Sequence, residues 1–171
     1  MNNSPAKKNE HMKKGSTHFL RAVVFLMGAA AVFLCALILP AINADWAKEF
    51  PEVASWKYPF MALLLATTIP FFIALWQTLK LLNYIDKEKA FSKLSVNALS
   101  IIKYCALIFS ILYIVSLPII YYVADQDDAP GLMVIGIIMS FAPLVIAVFA
   151  AVLQQLLQSA IDIKRENDLT V

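Results

Sequence analysis

Charged residues are scarce in this chain. Asp, Glu, Lys and Arg make up 15% of its 171 residues, whereas hydrophobic residues make up 61%. A soluble domain holds about 25% charged residues, and a chain of this length could not bury so much apolar surface in its own core. Lipid must therefore be the solvent for most of the chain. The formal net charge of +2 is also too small to indicate nucleic acid as a direct partner.

Glycine, cysteine and histidine are also rare. Four glycines are too few for a phosphate-binding loop, and no zinc-protease pair or nucleophile elbow occurs. Cys35 and Cys105 lie at membrane depths that differ by more than about 10 Å, so we expect no disulfide within one molecule. His11 and His18 have no acidic or cysteine partner at ligand spacing. The sequence predicts no enzyme, no cofactor and no metal site.

Four long apolar runs follow one another along the chain. They occupy residues 19–42, 58–82, 101–124 and 130–153. Each is long enough to cross the hydrocarbon core, for which about 20 residues suffice. The first run also exceeds the roughly 7–15 residues of a signal-peptide core. We therefore predict an all-α integral membrane protein with four transmembrane helices.

Polar segments precede and follow these runs. Residues 1–18 are predicted to form a disordered basic tail. The fourth run becomes amphipathic after Leu153 with helical spacing, so its helix should continue in the cytoplasm to about Arg165. The transmembrane domain is thus 19–165, and 166–171 is a short tail.

Lysine and arginine are concentrated on one side of the predicted membrane. Twelve of them lie near the two termini or between the second and third runs, and only Lys48 and Lys57 lie in the other loops. The positive-inside rule then places both termini in the cytoplasm and the loops 43–57 and 125–130 outside. The predicted location is the bacterial cytoplasmic membrane.

Two prolines lie in the middle of predicted spans. Pro70 and Pro143 each lack a backbone donor and should kink their helices. Thr67, Thr68 and Ser140 precede them and could satisfy the freed carbonyls. Two interpretations stay open for each proline, a hinge beside a cavity or a static kink.

The same prolines suggest an internal repeat. Each is followed by Ile-Ala three and four residues later, and the first and third runs both carry Leu-Pro near the outer end. The four helices would then form two tandem hairpins related by an axis along the membrane normal. Chance similarity between apolar segments is the alternative.

Asp, Glu, Lys, Arg and His are absent from the middle of all four runs. Such residues are typical of ion pathways, so the sequence argues against an ion-coupled transporter but leaves a neutral-solute path open. Gln154 and Gln155, at an inner end, are expected to bond between helices or face headgroups. In the acidic cluster 125–128, Asp127 or Asp128 is predicted to be the N-cap of the fourth helix.

One long polar segment interrupts the apolar runs at residues 83–104, and we call it the elbow. Ser92 is predicted to cap the third helix, which would begin at Lys93, with Phe91 and Val96 as a hydrophobic staple. The lysines would lie at headgroup level and attract anionic lipid. The candidate docking or headgroup surface consists of Lys87, Lys89, Phe91, Ser92 and Lys93.

The elbow also carries a family resemblance. It resembles the four-span bacterial membrane proteins of domain of unknown function 2975, which have a Phe-Ser or Phe-Thr turn here and an Asn-Ala-Leu-like continuation. The resemblance covers about residues 15–165 and implies no catalytic residues. It implies a small helix-turn-helix regulator as a partner, because the genes of the family often neighbour one. The matching positions are Ala90, Phe91, Ser92, Asn97, Ala98 and Leu99.

The leading functional hypothesis is a non-enzymatic regulatory or interaction protein that docks through the elbow. Its expected partners are membrane lipids, the regulator or another membrane protein, and a second copy of the chain. One alternative is a neutral-solute transporter that acts as a homo-oligomer, with its path along the kinked second and fourth helices. Another is immunity against a membrane-active peptide.

Overall fold

The computed structural model describes residues 17–37, 40, 55–87 and 89–169. Most of the predicted basic tail and of the outer loop 43–57 lies outside the described residues. The described part contains helices and turns and no strand, which confirms the all-α fold class. Four helices are long and apolar enough to cross a membrane. They are α1 (Thr17–Leu37), α2 (Lys57–Asp86), α3 (Lys93–Gln126) and α4 (Pro130–Leu169).

Large apolar side chains face outward, whereas the buried side chains are small. Phe25, Leu26 and Phe149 are all at least 65% exposed, whereas Ser110 and Ser140 are buried. A soluble domain would reverse this arrangement. In a bilayer, helices gain little from burying apolar side chains against each other, and small residues let their backbones approach closely. The packing therefore fits a protein surrounded by lipid.

α3 and α4 form a tight antiparallel pair. Gly136 is buried at their contact, and a Cβ added there would lie 3.1 Å from Ile120 Cγ2 and 3.3 Å from Leu117 Cδ2. Ala147 and Ala150 of α4 are also buried. Small residues thus recur along the side of α4 that meets α3.

The turn between α3 and α4 differs from the prediction. Asp128 has a φ of 49°, and the Ala129 amide donates to the Ala124 carbonyl at 2.9 Å. This is a Schellman motif that ends α3, with aspartate in the left-handed position that glycine usually takes. Asp127 and Asp128 therefore cap the end of α3, and Ala129 directly precedes α4. The predicted N-cap role for an aspartate was wrong.

α1 packs against α2, and α2 also packs against α3. A Cβ on Gly28 of α1 would lie 3.5 Å from Leu75 of α2, an ordinary contact distance. At the elbow end of this pair, the Arg21 guanidinium donates to the Asp86 carboxylate. The ion pair joins the start of α1 to the last residue of α2.

α3 and α4 are longer than a bilayer requires. Their 34 and 40 residues correspond to about 50 and 60 Å of helix, against a hydrocarbon core of about 30 Å. The apolar run of α4 begins directly at the 127–129 turn, so the excess length lies at the elbow end. α4 reaches Leu169 there, four residues beyond the predicted end of the helix.

Candidate docking surface and central cavity

In the described residues, the elbow consists of the last turn of α2, a loop at 87 and 89–92, and the first turns of α3. The Lys89 amide donates to the Tyr84 carbonyl at 2.8 Å and closes the end of α2. Ser92 has an extended backbone, and its carbonyl accepts bonds from the amides of Ser95 and Val96 at 3.0 and 3.3 Å. α3 therefore begins at Lys93, as predicted.

The hydroxyl of Ser92 does not form the predicted cap. It makes no hydrogen bond to a backbone amide and lies 3.5 Å from the Ser95 hydroxyl. Ser95 is fully buried, and its hydroxyl donates to the Lys89 carbonyl at 3.3 Å. Ser95 therefore ties the loop to α3, a role that sequence reasoning missed. The sequence did contain a hint of this role, because Ser95 follows Ser92 by three residues. In a capping box, the side chain at that position folds back toward the residues before the helix.

The loop and the start of α3 present a surface that is both basic and apolar. Phe91 is 66% exposed and Leu94 is 54% exposed. The three lysines between residues 87 and 93 are exposed as well, and the segment holds a single glutamate in sequence. Asp86 is already paired with Arg21. We call this the elbow surface, made of Lys87, Lys89, Phe91, Lys93 and Leu94.

A polar contact joins α3 to α4 beside the elbow. The Lys103 ammonium donates to Gln154 Oε1 at 3.1 Å and lies 4.8 Å from the ring centroid of Tyr104. Of the two roles expected for Gln154, the structure shows the interhelical bond. This contact fixes the start of α3, and with it the elbow surface, against the part of α4 that continues beyond the apolar run.

Pro70 is buried in α2. The Thr67 hydroxyl donates to the Leu64 carbonyl at 2.7 Å, and the Thr68 hydroxyl to the Leu65 carbonyl at 2.6 Å. Pro70 removes the donor of the carbonyl four residues earlier, that of Ala66. Neither threonine bonds that carbonyl. The prediction that they satisfy it was wrong, and they instead bond to the turn just before it.

Pro143 in α4 is supported from a neighbouring helix. The Ser140 hydroxyl donates to its own helix, at the Gly136 carbonyl (2.8 Å). The Ser140 carbonyl accepts a 2.7 Å bond from the buried Ser110 hydroxyl of α3. This carbonyl is adjacent to that of Met139, which loses its donor to the proline. The sequence alone did not identify Ser110, because its partner lies on another helix.

A cavity of about 470 Å³ lies between the four helices, and we call it the central cavity. Phe109 and Tyr113 of α3 stack in it with ring centroids 4.9 Å apart. Phe71 and Phe72 of α2, directly after Pro70, meet edge to face at 5.7 Å. Its lining is Met27, Ala30, Ala31, Leu34, Cys35, Leu64, Leu65, Thr67, Thr68, Phe71, Phe72, Phe109, Tyr113 and Met139.

The lining decides what this cavity could hold. It contains no carboxylate, ammonium, guanidinium or imidazole group, so a bound ion would lose its hydration without compensation. Its volume and aromatic walls are typical of sites for small apolar molecules. Cys35, which lines the cavity, and Cys105 are both free thiols. Within the described ranges, no group of three or more His, Cys, Asp or Glu side chains is placed to hold a metal ion.

Comparisons with known proteins support the resemblance found in the elbow. Residues 41–171 match a family described as protein of unknown function, DUF2975. The chain belongs to this family. An uncharacterised membrane protein of Bacillus subtilis (strain 168), YoaS, is 52% identical over 160 residues, which cover 94% of this chain and 100% of that protein. No solved structure matches the chain.

The DUF2975 match contains α2, α3, α4 and the whole elbow, and it begins after α1. The similarity to YoaS covers nearly the whole chain, α1 included. The chain is therefore a membrane protein of the DUF2975 family, as the elbow predicted.

Proposed function

We propose that this DUF2975 protein is a non-enzymatic regulatory or interaction protein that binds a partner on the cytoplasmic side through the elbow surface. The observation that carries the proposal is the exposure of Phe91 and Leu94 among three lysines. Both apolar side chains lie outside the predicted spans. An apolar, aromatic centre with a polar rim is typical of a protein interface, and Phe91 and Leu94 with the lysines around them fit this pattern.

The end of α4 offers a second contact beside the elbow surface. Leu156 and Ile163 are 62% and 67% exposed and lie seven residues apart, which places them on one face of the helix. Both lie beyond the apolar run. A partner with an apolar groove bordered by acidic side chains would complement both regions. A small regulator, such as the family resemblance implies, is a suitable class.

Site-specific photocrosslinking in living cells tests this proposal. A photoreactive phenylalanine analogue at Phe91 should yield one discrete protein adduct, whereas the same analogue at the lipid-facing Phe149 should yield none. Changing Lys87, Lys89 and Lys93 to glutamate should remove the adduct, because the charges that orient the partner are reversed. Lys57→Glu, at the other end of α2, is the matched control. Lipid adducts alone at Phe91, or an adduct that the reversals leave unchanged, would refute docking at the elbow.

The central cavity favours a second function, passage or binding of a neutral solute. The cavity lies beside Pro70, where a helix can bend. Neither proline lines the cavity itself, but Thr67, Thr68, Phe71 and Phe72 on both sides of Pro70 do, whereas α4 contributes Met139. In proteoliposomes, Pro70→Ala should then reduce solute flux more than Pro143→Ala, because the residues on both sides of Pro70 adjoin the cavity. If both prolines proved equally dispensable, or no neutral solute crossed the membrane, this candidate would be abandoned.

A further inference from the structure

We infer that the groove between α1 and α2 at the elbow end binds the headgroup of an anionic phospholipid. The groove has a volume of about 370 Å³. It lies on two helices that the elbow surface does not include, and the inference is independent of the proposed docking function. Its lining is Arg21, Phe25, Trp76, Leu79, Lys80 and Asn83.

The polarity of the groove changes along the helices as it does along a phospholipid. Arg21 and Asn83 lie near the helix ends, at the level of the Arg21–Asp86 ion pair. Phe25 follows Arg21 by about one turn toward the middle of the membrane, and Trp76 precedes Asn83 by about two turns in the same direction. A headgroup would thus meet the polar end, and the glycerol and first acyl carbons would meet the aromatic end.

Two cations face this groove from different helices. The Arg21 guanidinium uses one nitrogen for Asp86 and has five N–H donors in all. The Lys80 ammonium lies 5.8 Å from the ring centroid of Trp76, and this cation–π contact leaves its three N–H donors for oxygen acceptors. Arg21, Lys80 and Asp86 together carry a charge of +1. Asp86 orients Arg21 without cancelling the attraction for a phosphate.

The groove is closed toward the middle of the membrane and open toward lipid. Gly28, on the next turn of α1, lies against α2 near Leu75 and Phe72. Phe25 and Trp76 are exposed, so an acyl chain can leave the groove along their rings. This shape suits a lipid that stays in its leaflet. Basic pockets between transmembrane helices are a recurrent way to bind anionic headgroups.

Trp76 can report binding directly. Trp46→Phe and Trp56→Phe would leave it as the single tryptophan of the chain. The protein is reconstituted in phosphatidylcholine with a small fraction of brominated phosphatidylglycerol or brominated phosphatidylcholine. We expect brominated phosphatidylglycerol to quench Trp76 at several-fold lower mole fraction. Lys80→Gln should reduce that preference about five-fold, the equivalent of about 1 kcal/mol per basic residue near the surface, while Lys57→Gln should leave it unchanged.

The variants separate a lipid site from simpler explanations. Lys80→Gln keeps the Arg21–Asp86 pair, so it remains informative even if Arg21→Gln unfolds the protein, and Lys80→Arg should restore the preference. Equal quenching by both lipids would overturn the inference, as would a preference that survives both Lys80→Gln and Arg21→Gln. Loss of the preference in millimolar inorganic phosphate would indicate a site for free phosphate and would also contradict the lipid assignment.

Discussion

The two consecutive helix pairs of this protein are packed in different ways. α3 and α4 meet through buried small residues, and side-chain hydrogen bonds from Ser110 to Ser140 and from Lys103 to Gln154 join them. α1 and α2 are joined at one end by the Arg21–Asp86 ion pair. The groove lies between them, and the central cavity begins where they face α3 and α4.

This difference divides the molecule into a closed pair and an open pair. Interhelical hydrogen bonds and close backbone contact are the main sources of helix association in lipid, and α3–α4 has both. The groove and the central cavity both take side chains from α1 and α2, whereas a space of about 360 Å³ on α3 and α4 lies at their elbow end, beside Gln154, Gln155 and Gln158. The elbow connects the two pairs, so a partner bound there would contact the end of one and the start of the other.

The largest effect is expected at Gly136. A Cβ there already lies 3.1 Å from Ile120, so Gly136→Leu would force α3 and α4 apart and cost about 1–3 kcal/mol or more, as overpacking does. Unfolding in mixed micelles of dodecyl maltoside and dodecyl sulfate, followed by tryptophan fluorescence, measures this cost.

Gly131→Leu is the control for Gly136→Leu, because nothing lies within 4 Å of a Cβ at that position. It belongs to the same helix and introduces the same side chain. If the two variants unfold at the same detergent composition, α3 and α4 are not closely packed at Gly136.

A smaller loss is expected for Ser110→Ala. The change removes the 2.7 Å bond to the Ser140 carbonyl, and interhelical hydrogen bonds in membranes contribute about 0.6–1.7 kcal/mol. Ser159→Ala is the control, because that exposed hydroxyl bonds within its own helix, to Gln155. The same unfolding assay applies.

A double-mutant cycle that combines Ser110→Ala with Pro143→Ala tests whether the Ser110 hydrogen bond compensates for the proline. If Ser110 compensates for the distortion at Pro143, the cost of Ser110→Ala should fall by about 0.5 kcal/mol or more in the Pro143→Ala background. Strictly additive costs would show that the hydroxyl joins the two helices independently of the proline.

The sequence predicted the helices and the start of α3 because these depend on local patterns. Apolar runs predict spans from their own composition. The start of α3 at Lys93, after the extended Ser92, was likewise predictable from the neighbouring residues. The polar bonds were predicted less well. Gln154 was correctly expected to bond between helices, but the partners of Thr67 and Ser140 depend on which carbonyl lies within reach.

The three possible sites also differ in how far the sequence could identify them. The lysines of the elbow surface lie within seven consecutive residues, 87–93, so the local density of basic residues reveals them. The groove joins Arg21 to Lys80, which are 59 positions apart in the sequence, and the central cavity combines residues from four helices. Such sites depend on how the helices pack, and helix packing in lipid depends on small residues that occur throughout the chain.

The smallest effect on stability is expected where the open pair contributes to the central cavity. Ala31 lines this cavity, so the extra carbons of Ala31→Leu would enter empty space, and we expect the unfolding free energy to change by less than about 0.5 kcal/mol, within the usual range for harmless substitutions. The same replacement at Ala147, which is buried in the α3–α4 pair, should cost about 1–3 kcal/mol. Equal costs at the two alanines would mean that α1 is as closely packed as α4. If neutral solutes do bind in the cavity, Ala31→Leu should weaken their binding without unfolding the protein, which would separate a loss of site volume from a loss of fold.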